Sequence, residues 1–208
     1  MSTDITQPAL SVDSLVFRVT SRKTLEVLLA ERWNEPYAGQ KALPGVLLLP
    51  NESLSEAAIR AVTDKTQVAE DMITGTKQFR AFDDTNRDPR GLTISLVQHV
   101  FLSESDAATE GFWTPAAPLN NELPFDHGAI VQNAVNELQN PSSDLVRGIL
   151  GNTFGAGDYA WLIEAAGGSI DRTNLTRVIP SRYEVERAGT AVSSLSGKRT
   201  TQWRFINE

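Results

Sequence analysis

The chain has 208 residues, no cysteine, two histidines and a formal net charge of −7. Without cysteine it has neither disulfides nor thiolate metal sites, and two histidines argue against a zinc cluster. No run of roughly eighteen apolar residues appears, and the N-terminal MSTDITQPAL lacks a basic stretch leading into an apolar one, so a cytoplasmic protein without a membrane partner is expected. The acidic excess is uneven. Residues 1–142 carry 11 basic and 19 acidic side chains, residues 143–208 carry 8 and 7. A nearly neutral C-terminal part can bind nucleic acid if its cations share one face.

The first elements read as strands. Residues 11–19, SVDSLVFRV, form an apolar and β-branched run, and Leu25–Ala30 follows after a turn at Arg22-Lys23. Trp33–Lys41 is a loop with Pro36 and Gly39, and Leu43–Pro50 is again strand-like. Ser53 and Glu56 form a capping box, and Leu54, Ala57, Ala58, Ala61 and Val62 then recur at helical spacing. Thr74–Phe82 and Leu92–Leu102 read as strands on either side of a polar loop.

Residues 103–124 are acidic, then proline-rich, and read as a connecting loop. Asp126 is placed to cap a helix reaching Gln139, with Ile130, Val131, Ala134, Val135 and Leu138 as its apolar stripe. Phe125 and Ile130 could staple its start. Short helices are expected at Asp144–Leu150 and Asp158–Ala166, the latter closed by Gly167-Gly168. Asp171 caps a third helix, stopped before Pro180, with Leu175, Val178 and Ile179 inward. A hairpin follows: Ala191–Ser196, a basic tip at Gly197-Lys198-Arg199, then Thr200–Phe205. Two helices joined by a glycine turn and followed by a ribbon form a winged helix-turn-helix pattern.

Residues 43–68, LPGVLLLPNESLSEAAIRAVTDKTQV, resemble a Nudix box that has lost its catalytic acids. Glu52, Arg60, Val62 and Val68 keep the frame Gly-x5-Glu-x7-Arg-Glu-U-x-Glu-Glu-x-Gly-U, where U is bulky and aliphatic. Ala61 replaces the glutamate after the arginine, and Asp64-Lys65 replaces the Glu-Glu pair. Val46 and Gln67 stand where the frame has glycines. Positions 61, 64 and 65 are expected on one side of the helix. There they offer a methyl, one carboxylate and an ammonium where a hard divalent cation wants oxygens. The bland reading is an ordinary surface helix.

Arg87-Asp88-Pro89-Arg90-Gly91, followed by LTISLVQHVFL, is similar to a segment of the NrtR family, Nudix-related transcriptional regulators of NAD metabolism. Ser11–Phe17, Val27–Arg32, Leu123–His127 and Asp171–Arg177 resemble further segments, so the likeness covers about residues 11–206. It implies an α+β chain: an N-terminal Nudix-like α/β sandwich at residues 1–140, with a connecting helix at 126–139, then a C-terminal winged helix-turn-helix domain at 141–208. It implies a ligand-responsive regulator, a repressor of NAD-metabolism genes, that is not an enzyme and needs no cofactor or metal.

The implied partners are double-stranded operator DNA, an ADP-ribose-like or NAD-related nucleotide, and a second copy of the chain in a homodimer. Arg32, Arg60, Arg87 and Arg90 could hold a pyrophosphate through bidentate contacts. Glu52 joins them as a candidate, although Glu52 and Arg60 could equally pair within the fold. Trp33 and Tyr37 could stack on a base or simply pack. Arg172, Thr173, Asn174 and Arg177 suit base edges or phosphates, and Lys198, Arg199 and Thr200 on the wing suit the phosphate backbone. The alternatives are a hydrolase of ADP-ribose-like nucleoside diphosphates, a regulator responding to a sugar, and an interaction module that binds no DNA.

Overall fold

The computed structural model describes residues 7–103, 111–119, 122–193 and 195–206. The acidic stretch of the expected connecting loop, at 104–110, and Ser194 of the expected hairpin lie outside these residues. Among those described, no helix is long and apolar enough to cross a membrane.

The chain opens with β1 (Ala9–Leu15) and β2 (Phe17–Val19), then β3 (Leu25–Glu31), β4 (Lys41–Ala42) and β5 (Gly45–Leu47). The single strand expected at 11–19 is therefore broken at Val16. β1 pairs with β5 and with a later strand, whereas β2 pairs with β3 in a second sheet. A uniformly apolar run does not mark the residue at which a chain changes sheets. The strand expected over 43–50 shrinks to Gly45–Leu47, the residues in regular register with β1, with single hydrogen bonds linking Pro44 and Leu48 to the same strand at its ends.

Helix α1 (Leu54–Thr66) has the capping box that its sequence predicts: Glu56 N–H donates to the Ser53 hydroxyl, and Ser53 N–H donates to the Glu56 carboxylate. It ends at Gln67 in the left-handed conformation (φ 56°), the position where the box pattern carries glycine. Next come β6 (Ile73–Phe82), β7 (Thr93–Leu102) and β8 (Phe112–Pro115). The main sheet runs β5-β1-β7-β6, with β1 and β7 parallel, and β8 joins the smaller sheet on β3.

Alternation sends the two faces of the main sheet into two cores. Val12 and Val100 pack with Ala57, Ala58 and Val62 of α1. Leu15, Val97 and Phe101 pack with Ile130, Val131, Ala134 and Leu138 of α2 (His127–Leu138). This is an α/β sandwich. The second core runs on past residue 140 to Leu145, Trp161, Leu162 and Ala166, so apolar contact ties the C-terminal elements to the sandwich.

Those elements are α3 (Ser143–Leu150), β9 (Thr153–Gly155), α4 (Ala156–Ala165), α5 (Leu175–Arg182), β10 (Val185–Val192) and β11 (Arg199–Phe205). They have the order of a winged helix-turn-helix, with a three-stranded wing sheet β10-β11-β9. Tyr159, Leu162, Ile163 and Ile179 are buried as their spacing predicts, and Val178 is half-buried. Gly167 takes φ +82°, the left-handed turn that glycine allows after a helix.

Pro180 lies inside α5 rather than beyond it. It forfeits one bond, to the Thr176 carbonyl, and the helix closes two residues later through Tyr183 N–H to Ile179 O. Helix α4 begins at Ala156, two residues before Asp158, which is buried and accepts a hydrogen bond from Ser193 at the wing turn. The wing's first strand starts at Val185, where exposed and charged residues hide the apolar pattern. Arg199 is a strand residue and not part of the tip, while Thr200 is on the second strand as expected. The β9 strand, only three residues long, carries no sequence signal of its own.

Candidate functional site

A cleft of about 410 Å³ opens beside the second half of α1 and the loop after β6. Its walls include Arg32 and Trp33 after β3, Gly45 and Val46 of β5, Arg60 and Lys65 of α1, Arg87 and Arg90 of the RDPRG loop, and Phe125 and His127 at the head of α2. Four of the five effector candidates thus converge: Arg32, Arg60, Arg87 and Arg90. Glu52 does not line the cleft. It is bound by Arg60 at 2.6 and 2.8 Å and accepts from Leu49 N–H at 3.0 Å. Those bonds hold its carboxyl at about 2, well below the usual carboxylate range. Its role is structural, tying the box loop to α1, and a carboxylate so bound offers nothing to an anionic effector.

The three remaining arginines differ in how they are held. Arg87 is buried, and its guanidinium meets Asp126 at 2.7 and 3.0 Å and Asp13 at 3.4 Å. Burial alone would lower its pKa, but the bonds and charges of these two carboxylates raise it overall. Arg90 is half-exposed and pairs with Asp88 of its own loop at 2.7 and 3.0 Å. Arg32 donates only to the carbonyls of Pro36 and Asn34 and has no carboxylate within ion-pair distance among the described residues. Burial and the neighbouring charge of Arg90 lower its pKa. An anion entering here would relieve that repulsion.

Phe125 sits between the two cations, 4.6 Å from Arg32 and 5.8 Å from Arg90. The expected staple to Ile130 gives way to this arrangement. Phe125 has φ 57° and packs edge-on against Tyr37 at 5.0 Å. So Tyr37 packs, whereas Trp33 is 66% exposed at the cleft with the Lys65 ammonium 5.0 Å from its ring. Asp126 does not cap α2, because its carboxylate is spent on Arg87. Sequence reading missed Asp13 and His127. Asp13 is fixed by the Ser95 hydroxyl at 2.5 Å, and a side chain at Gly45 would collide with it. His127 accepts from Leu43 N–H through Nδ1 at 3.0 Å, so its Nε2 carries the proton, 3.6 Å from Asp13. Burial lowers its pKa and keeps it neutral. An acid in the first strand and a histidine at a helix start give no local sequence signal of partnership.

On the C-terminal surface, Arg172, Thr173, Thr176 and Arg177 are exposed, as predicted, and Asn174 is half-buried. Arg172 is engaged in a bidentate pair with Glu164 of α4. Thr173 bonds Asp171. Lys198 stands exposed at the wing turn, and Arg199 is exposed on β11. Thr200 is half-buried, and its hydroxyl accepts from Gly157 N–H at 3.0 Å.

No family model matches the chain. A curated relative, the ADP-ribose pyrophosphatase of Methanocaldococcus jannaschii, is 31% identical over 131 residues, spanning 61% of this chain and 72% of the relative. The NUDIX domain of Shewanella oneidensis NrtR, solved with ADP ribose, is 26% identical with a TM-score of 0.56, covering 66% of this chain and 93% of that one. The chain belongs to the Nudix family. Beyond the Nudix part, the fold of Shewanella oneidensis NrtR matches 96% of this chain and 99% of that one, with a TM-score of 0.73 at 21% identity. The same protein solved with a 27mer DNA matches 94% of this chain and 93% of that one, with a TM-score of 0.71 at 21% identity.

A Nudix hydrolase is expected to gather a divalent cation on carboxylates of the box helix. The residues of this Nudix chain do not fit one. Ala61 is fully buried, Asp64 is turned to solvent, and Lys65 brings an ammonium to the cleft wall. The three positions share one side of α1, as the helical spacing indicates, but differ in depth: the methyl of Ala61 is buried beneath the more accessible Asp64 and Lys65. Among the described residues, no group of three or more acids or histidines could hold a metal ion.

Proposed function

We propose that this Nudix protein is a ligand-responsive transcriptional regulator, a repressor of NAD-metabolism genes, and not a hydrolase. Residues 1–140 form its sensor, with α2 as the connecting helix, and 141–208 its DNA reader. The cleft takes an ADP-ribose-like nucleotide, with Arg32, Arg60, Arg87 and Arg90 toward the pyrophosphate and Trp33 toward a base. Arg177 reads DNA together with Thr173, Asn174 and the wing cations Lys198 and Arg199. A single reader with so few cations binds weakly, so a homodimer on a two-fold site completes the reading.

One observation carries this proposal: a cleft lined by cations in which Lys65 stands at a position where the box pattern has a catalytic acid. Such a site favours a pyrophosphate and offers little to activate water. The test is binding without turnover. ADP-ribose at a hundred times its dissociation constant should stabilise the fold by about 2.7 kcal/mol and be recovered intact in the presence of Mg²⁺ or Mn²⁺. The second reading, a hydrolase of ADP-ribose-like compounds, draws on the similarity to the Methanocaldococcus jannaschii enzyme. Chelator-sensitive turnover in the same assay would establish it.

A further inference from the structure

The head of α2 lies in the cleft and its tail lies on the helix-turn-helix. At the tail, Gln139 donates through Nε2 to the carbonyl of Ala166, the last residue before the α4–α5 turn, at 3.0 Å. Gly168 of that turn packs so closely on Gln139 that a side chain there would crowd it. Two residues on, the Pro141 carbonyl accepts from the Tyr183 hydroxyl at 2.7 Å, just after α5. A helix of 12 residues joins the two ends, spanning about 18 Å. The reader is therefore fixed to the tail of the rod whose head enters the cleft.

The head holds an unusual choice. Asp126 occupies the capping position of α2 but makes no capping bond. Its backbone (φ −102°, ψ 17°) is outside the extended region that a cap needs. Instead its carboxylate binds Arg87, which Asp13 also contacts. The two acids are not equally anchored. Asp13 is buried and held by Ser95, whereas Asp126 is more exposed and bonds only Arg87 among the described residues. A phosphate seeking the Arg87 guanidinium must displace a carboxylate, and Asp126 is the one that can leave. Once released, it has a second partner at hand in the open N–H groups of its own helix's first turn. That exchange turns the backbone at residue 126 toward the extended region and re-aims α2.

We infer that Asp126 is a two-position switch, on Arg87 when the cleft is empty and capping α2 when a phosphate-bearing effector occupies it, and that α2 carries the change to the α4–α5 turn through Gln139. The inference rests on the proposed sensor function and deepens it by naming how the cleft reaches the reader. Each of the two positions has its own set of bonds, so a ligand that competes for Arg87 has a differential affinity for the two states, the condition for coupling.

Two variants and two readouts test it. Hydrogen exchange on the ligand-free full chain needs no effector. Asp126→Ala, which removes the Arg87 anchor, should speed exchange at Ala166–Gly168 at least threefold; unchanged exchange there overturns the lever. ADP-ribose and a duplex from the protein's own upstream region supply the second readout, the ratio of DNA dissociation constants with and without ADP-ribose. Asp126→Ala should bind ADP-ribose more tightly, because the competing carboxylate is gone, while its ratio falls toward one. Gln139→Ala, outside the cleft, should keep wild-type ADP-ribose affinity and lose most of the ratio. Variants that keep the wild-type ratio refute the switch. A wild-type protein that binds neither ADP-ribose nor DNA refutes the sensor reading instead, and the exchange result then judges the lever alone.

Discussion

Arg172 at the entry to α5 is gripped by both carboxylate oxygens of Glu164 on α4, at 2.6 and 2.7 Å. The guanidinium face that could grip a guanine is thus already occupied, whereas Arg177, one turn along, stands exposed. The two arginines, equal candidates by sequence, are unequal in structure. Arg177→Ala should cost about 1–3 kcal/mol of operator affinity and relax specificity at one base pair. Arg172→Ala should cost less. Titration of both variants against operator and unrelated duplexes checks the order, and a larger loss from Arg172 would reverse the assignment.

The wing contributes differently. Lys198 at the turn should weaken operator and unrelated DNA alike when changed to alanine, reducing the salt slope by about one unit. Thr200→Val should leave DNA affinity unchanged, because its hydroxyl serves Gly157. A loss of operator affinity in Thr200→Val at unchanged stability would contradict that assignment.

Arg87 and Arg90, neighbours in one motif, should respond oppositely to removal. Arg87→Ala strands the buried carboxylate of Asp13 and should destabilise the fold by about 3–5 kcal/mol. Arg90 is half-exposed although its partner Asp88 is buried, so Arg90→Ala should cost less stability than Arg87→Ala. It should weaken ADP-ribose about tenfold, the loss of one charge-assisted contact. Denaturation and calorimetry on the two proteins separate these effects. Equal destabilisation would show that the burial difference carries no weight.

Restoring the box acid at position 61 should not restore chemistry. Ala61 is fully buried, and Ala61→Glu should destabilise the protein on the order of 3 kcal/mol. An unchanged denaturation midpoint would mean that the helix can turn this position to the cleft.

Stability should fall in two acid steps. The His127 pKa is lowered by burial, so below the ordinary histidine value near 6.5 the unfolded chain takes up a proton that the fold refuses, and stability declines as pH falls. Glu52 is held at about 2. Its contribution is complete above the ordinary glutamate value and is lost as pH falls through about 2. Glu56, Asp88, Glu137, Glu164 and Asp171 are also held below the usual carboxylate range, so Glu52→Gln should diminish the lower step without abolishing it, as followed by denaturation at successive pH values; a wild-type profile in that variant would contradict the Glu52–Arg60 assignment.

What was legible in the sequence was local. The Ser53–Glu56 box, the strands around RDPRG and the buried stripe of α4 depend on neighbours within a few residues, and their patterns survive in one dimension. Relationships across the chain did not. Asp13 and Arg87 meet over 74 residues, and nothing near Asp13 announces a buried arginine. Asp126 looked like a cap because the residue type and position were right; a stronger partner 39 residues away took its carboxylate. The break at Val16 and the wing strand from Val185 follow from which strand lies alongside.

The central claim is that ADP-ribose is read and not consumed. The most direct measurement is fluorescence anisotropy of a labelled duplex from the protein's own upstream region, titrated with protein in Mg²⁺ with and without ADP-ribose, while the nucleotide is assayed for cleavage. The account predicts salt-dependent DNA binding whose dissociation constant shifts by about 5-fold or more with ADP-ribose, with the nucleotide intact throughout. Chelator-sensitive cleavage with no effect on DNA would contradict it.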